Sequence, residues 1–240
     1  MKLRAFLVLV AVAALLVIVF ATKPTGTSYR QVIVDVSWPN CGKLPKDVFG
    51  TGIVGINGGL DFHPNPCLAD ESTWFSHYAV YMNTGYPGDA RGRKFMDSPR
   101  RCGFSESACL AYNYGFNAAR YSIKYANMQN VHANTWWLDV ETENSWTSNV
   151  LVNRQFLEGA ITAIRQQVLV PTVGIYSAPL QWKQIVGPWL TRQPVWLATG
   201  STSRTDAAKA CQSQSFTGGT IQLTQYTPRL DENFSCHEQQ

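Results

Sequence analysis

The chain has 240 residues with a formal net charge of +4, and 45% of it is hydrophobic against 15% charged. That is an ordinary globular balance. No basic cluster points to nucleic acid, no acidic tail to a solvated brush, and no repeat or low-complexity tract to an array. Eight Trp and ten Tyr are the one bias, and such rings serve as core or as flat stacking surfaces for sugars.

Met1-Lys2-Leu3-Arg4 sets two cations ahead of an unbroken apolar run from Ala5 to Ala21, the layout of an export signal. Val19-Phe20-Ala21 ends on a small residue, so residues 1–21 read as a signal peptide cut after Ala21. The other reading is an uncleaved membrane anchor, since about 17–25 apolar residues span a bilayer. The short run, with no cationic stop beyond Lys23, favours cleavage. Either way the rest of the chain is expected outside the cytoplasm, extracellular or on the cell surface. Residues 22–29 are a polar linker and residues 30–240 a single domain. Roughly 210 residues suit one α/β barrel. Without Lys2 and Arg4 the charge of +4 falls by two, to +2.

Strand and helix signals then alternate. Strands are expected over 31–36, 53–57, 78–82, 135–140, 173–176, 195–198 and 221–226, and helices over 108–128 and 148–167. Residues 89–109, rich in Arg, Gly, Ser and Pro, read as a long surface loop. Residues 207–212 offer only a short helical piece, so the front half should be regular and the rear degenerate. Alternation of this kind argues for a parallel sheet, here a TIM-like barrel. In such a barrel, chemistry sits on the loops after the carboxyl ends of the strands.

The cysteines agree with export. Cys41, Cys67, Cys102, Cys109, Cys211 and Cys236 allow fifteen connectivities, of which proximity favours 41–67, 102–109 and 211–236. There is no Cys-x-x-Cys, and His63, His77, His132 and His237 are scattered. No metal and no cofactor are therefore expected.

Four acids fall at or near strand ends: Asp35, Asp139, Glu141 and Asp231. In Trp136-Trp137-Leu138-Asp139-Val140-Glu141, residues 137, 139 and 141 share one side by period two. Two carboxylates beside an indole cannot both ionise cheaply, so one should hold a proton near neutrality. Cleaving an acetal needs such a donor, with negative charge to steady an oxocarbenium-like centre. A salt-bridged surface pair is the bland alternative.

Leu138-Asp139-Val140-Glu141 resembles the Asp-x-Glu signature of glycoside hydrolase family 25, the lysozyme-like muramidases. Asp35-Val36-Ser37 with Trp38 is similar to that family's first-strand motif, Gly174-Ile175-Tyr176-Ser177 to its fifth strand and Val195-Trp196-Leu197-Ala198 to its sixth. Gln225-Tyr226 with Leu230-Asp231-Glu232-Asn233 resembles its final motif. The resemblance implies an irregular (β/α)5β3 barrel. By it Glu141 is the general acid, Asp139 the electrostatic partner, and Asp35 and Asp231 support them. The chain departs from the family on the second strand, where Ile56-Asn57-Gly58-Gly59 replaces a Lys and Thr-Glu-Gly, and on the third, where Met82-Asn83 follows Tyr81. In these departures, and in its cysteines, it resembles exported bacterial relatives at a distance.

Candidate substrate-binding residues are Trp38, Asn57, Asn83, Trp137, Trp146, Tyr176 and Tyr226. Trp182 and Trp196 are weighed as cleft or core. No Gly-x-Ser-x-Gly elbow, Cys/His pair or phosphate loop is present. Asn233-Phe234-Ser235 is a formal glycosylation sequon. The expected function is hydrolysis of peptidoglycan or a related amino-sugar polymer. A catalytically inactive glycan-binding barrel is the alternative. A monomer is expected, touching a membrane only through an uncleaved N-terminus.

Overall fold

The computed structural model describes residues 32–43, 50–88, 95–169 and 171–239. The export segment 1–21 and the linker 22–29 lie outside the described residues, as does the 89–94 part of the long loop.

Eight strands close a barrel in chain order: β1 Ile33–Val36, β2 Thr51–Gly55, β3 His77–Asn83, β4 Thr135–Asp139, β5 Thr172–Ser177, β6 Val195–Ala198, β7 Ile221–Tyr226 and β8 Glu232–Ser235. Each neighbouring pair from β1 to β7 is parallel. The last strand runs antiparallel to both β7 and β1 and so seals the gap. The helices are α1 Leu68–Ser72, α2 Ser107–Met128, α3 Val150–Gln167, α4 Pro179–Val186 and α5 Arg204–Ala210.

All seven strands placed in the sequence are present, and β8 is the eighth that the (β/α)5β3 resemblance implies. Asp231 therefore lies between β7 and β8. The front half is less regular than expected. Among the described residues, β1 is followed by a 3-10 turn, Trp38–Asn40, and α1 has five residues. The two long helices stand in the middle of the chain.

Strand parity separates two layers. Ile53, Trp137, Tyr176 and Trp196, with Ile33, Ala79, Tyr81 and Leu223, fill the barrel. The alternate residues Val34, Val54, Val80, Leu138 and Ile175 face out and join the helix core. Gly174 is paired with Trp137 in the β4–β5 register, and a Cβ there would stand 2.2 Å from the indole. The missing side chain is the space that ring occupies. Asn149 caps α3, its side chain accepting from the N–H groups of Leu151 and Val152.

The disulfides are Cys41–Cys67, Cys102–Cys109 and Cys211–Cys236, the pairing that proximity favours. The third joins the end of α5 to the turn after β8. It thereby anchors the closing strand.

Candidate active site

Asp35, Asp139, Glu141 and Asp231 line one cavity of about 250 Å³ together with Tyr81, Asn83, Tyr176, Trp196 and Gln225. They come from six different strands and the segments that follow them, which only closure of the barrel brings together. Among the described residues that line the cavity there is no Lys, Arg or His.

Asp139 is buried, 4% exposed, and held from three sides. Asn83 Nδ2 donates to its Oδ2. Thr84 Oγ1 donates to its main-chain oxygen at 2.6 Å. The Glu141 carboxyl lies on the third side, close enough for its charge to act on Asp139. Burial first, and then the charges of Glu141, Asp35 and Glu143, hold Asp139 well above the usual carboxylate range. Glu141 is also raised, by burial and then by Glu143, while the neighbouring Asp139 carboxyl pulls the other way. The pair therefore retains a proton that two exposed carboxylates would lose. Glu141 is the half-buried member, nearer solvent.

Asp35 forms the opposite wall. Asn233 Nδ2 donates to its Oδ2 at 2.7 Å and Gln225 Nε2 at 3.1 Å. Its own N–H donates to the carbonyl of Asp231 at 3.0 Å, which carries Asp231 to the rim. Burial, with Asp231 adding repulsion, pushes the Asp35 carboxyl up to about 8 despite those donors. Tyr176 Oη donates to Gln225 Oε1 at 2.6 Å, so the same amide that faces Asp35 fixes the tyrosine.

Several expected site residues stand elsewhere. Trp137, 1% exposed, lies two residues before Asp139 and one pleat deeper. It packs on Trp196 with centroids 5.8 Å apart and belongs to the barrel core. Tyr226 points outward by parity. Its hydroxyl donates to Glu232 at 2.6 Å, and its ring packs with Ala207 and Phe234. Asn57 is a buried brace behind the wall, bonded at 2.8 Å to both the N–H and the carbonyl of Asn83. Trp146 donates from Nε1 to the carbonyl of Glu141 at 2.8 Å and lines a neighbouring depression. Trp38 is half-exposed beside Gly58 and Gly59, outside the cavity wall. Trp182 is core, stacked on Trp189. Asn233 is buried and bonded to Asp35, so the sequon is closed to modification in the folded protein.

Tyr81, Gln225 and Asn233 were not among the sequence candidates. Parity would have found two of them: Tyr81 is in phase with Asn83, and Gln225 takes the inward place that Tyr226 cannot. Asn233 had no such signal, because the position of the eighth strand was not legible in the sequence. Among the described residues, no group of three or more His, Cys, Asp or Glu is arranged to hold a metal ion.

A closed barrel with carboxylates gathered at the carboxyl ends of its strands is the general plan of a barrel glycosidase. Residues 107–218 match the family model described as lysozyme-like protein 1. Two solved structures from Streptococcus pneumoniae are similar over most of the chain. The modular autolysin LytC is 16% identical at a TM-score of 0.51, covering 87% of this chain and 46% of its own. GHIP, described as a glycosyl hydrolase 25 and a virulence factor participating in host cell invasion, is 15% identical at 0.51, covering 86% and 87%. This chain thus spans under half the length of LytC. Comparison with curated proteins finds no match. The fold is a lysozyme-like barrel of the glycoside hydrolase family 25 type.

Proposed function

We propose that the protein is an exported glycosidase, acting outside a bacterial cell on peptidoglycan or a related amino-sugar polymer. Glu141 is the general acid and Asp139 its electrostatic partner. The domain that does this is residues 30–240, working as a monomer after export through residues 1–21. The reading rests above all on one observation: Asp139 and Glu141 converge with Asp35 and Asp231 on one cavity whose described lining carries no cation, and burial raises both members of the pair.

The chemistry follows from that pair. The retained proton passes from Glu141 to the glycosidic oxygen as the anomeric C–O bond breaks. The electron pair leaves with the oxygen, and positive charge grows on the sugar ring. Asp139, kept in place by Asn83 and Thr84, stabilises that charge as the proton leaves the pair. Water then supplies hydroxide to the anomeric carbon and a proton to the carboxyl pair. Asp35 and Asp231 support the cavity's negative field.

Turnover on purified cell-wall glycan is the test. Glu141→Gln keeps shape and hydrogen bonding but has no proton to give. It should cut turnover by about 10²–10⁴-fold while glycan binding survives. Asp139→Asn should also slow turnover. It should move the alkaline limb of the pH–rate profile to lower pH, because loss of the last proton no longer leaves two charged carboxylates side by side. Near-normal activity of Glu141→Gln would overturn the assignment, and binding without turnover by the wild type would establish an inactive glycan-binding barrel.

A further inference from the structure

A cavity of about 720 Å³ lies away from the acids, on the flank of the barrel between α2 and residues 95–98. One wall is fastened to the helix: Asn117 Nδ2 donates to the carbonyls of Phe95 at 2.9 Å and Ser98 at 2.7 Å. Phe62 closes the other edge. Its ring stacks on Phe95 with centroids 3.8 Å apart and meets Tyr121 edge-on at 5.6 Å. Phe62 has a φ of 60°, in the left-handed region that a ring-bearing residue occupies only at a cost, and such outliers gather at ligand sites.

The helix supplies the floor. Asn117, Arg120, Tyr121 and Lys124 recur every three to four residues and so share a face, about 10 Å long at 1.5 Å per residue. Arg120 and Lys124 are exposed there, against the single acid Asp97. The charge is opposite to that of the acid cavity. The groove also extends toward the loops that follow β2 and β3. An adjoining depression of about 450 Å³ shares Phe62 and Phe95 and continues past Leu60 and Asp61. Those two residues border a small cleft with Thr84, whose hydroxyl holds the main chain of Asp139.

We infer that this flank groove is a second binding site for the polymer, holding a stretch of it remote from the bond that is cleaved. Sugar faces lie on the ring of Tyr121 and the Phe62–Phe95 edge, and carboxylate-bearing substituents of the polymer pair with Arg120 and Lys124. The inference rests on the proposed amino-sugar polymer as ligand, but not on turnover.

The experiment uses the full-length chain with Arg120→Glu/Lys124→Glu and, separately, Tyr121→Ala. Co-sedimentation with insoluble cell-wall glycan measures binding. Kinetics on that polymer and on a short soluble amino-sugar oligomer measure the acid site. Losing two solvent-exposed charge contacts should weaken polymer binding about three- to tenfold. The apparent KM on polymer should rise in step, while kcat and the oligomer kinetics stay unchanged. Lys209→Glu, an equally exposed reversal beside Asp206, should leave binding as it is. Unchanged polymer binding by the double variant and Tyr121→Ala would overturn the inference. So would an equal loss with Lys209→Glu, which means diffuse attraction, or an equal loss on the oligomer, which means a disturbed acid site. Should the double variant fail to fold, Tyr121→Ala alone decides. A wild type that binds polymer without cleaving it would sink the glycosidase reading and leave the groove intact.

Discussion

Asp35 shows how a single residue can be identified from sequence while its state is not. Its place on β1, in phase with the barrel interior, follows from alternation. Its protonation follows from burial and from Asp231, which reaches it only across the β8–β1 closure. The folded value near 8 stands above the ordinary 3.8. The folded state therefore binds a proton that the unfolded chain releases. Stability from this group is fully present below pH about 4 and is lost as pH rises toward 8. The wild type should melt at progressively lower temperature between about pH 5 and 8, and Asp35→Asn should flatten that slope. Thermal denaturation across the range checks it; parallel slopes for the two proteins would contradict it. Trp137 shows the complementary error. Its side of the strand was predicted correctly, yet two residues at about 3.3 Å each place it a layer below Asp139, and parity carries no depth. Tyr226 was chosen for lying at a strand end, where parity points to Gln225.

At the scale of elements, length and periodicity decide what can be foreseen. α2 and α3 are long, with apolar residues at helical spacing, and both are found where expected. The four residues of β8 are largely polar, and Phe234 alone gives no alternation to detect. Hydrogen-bonding neighbours on both sides, Ile33 and Val34 of β1 and residues 223–226 of β7, make it a strand. The close contact of α2 with α3 is likewise tertiary. A Cβ on Gly115 would lie 2.0 Å from the carbonyl oxygen of Phe156, and one on Gly159 2.0 Å from that of Tyr112. Helix propensity alone favours Ala over Gly by about 1 kcal/mol. Here the backbones touch, and overpacking outweighs that gain. Gly115→Ala should destabilise the protein by about 1–3 kcal/mol, measurable by urea unfolding. A stabilised variant would show that the helices can separate without loss.

For the molecule as a whole, the barrel needs its last strand and the cross-link that holds it. Cys211–Cys236 spans 25 residues, a closure that a chain-entropy argument values at about 3 kcal/mol. Paired replacement by Ser should cost stability on that scale. The native protein should show no reactive thiol, and six after reduction under denaturing conditions; two or more native thiols would refute the framework. From sequence alone came the alternating plan, the acids at strand ends and the locally paired cysteines, because each depends on neighbours within a strand, a helix turn or a short loop. Tertiary structure alone decided where the eighth strand lies, the raised carboxyl of Asp35 and the groove beside α2. Each of these depends on which distant residues meet across a closed barrel, and on how much water that closure removes.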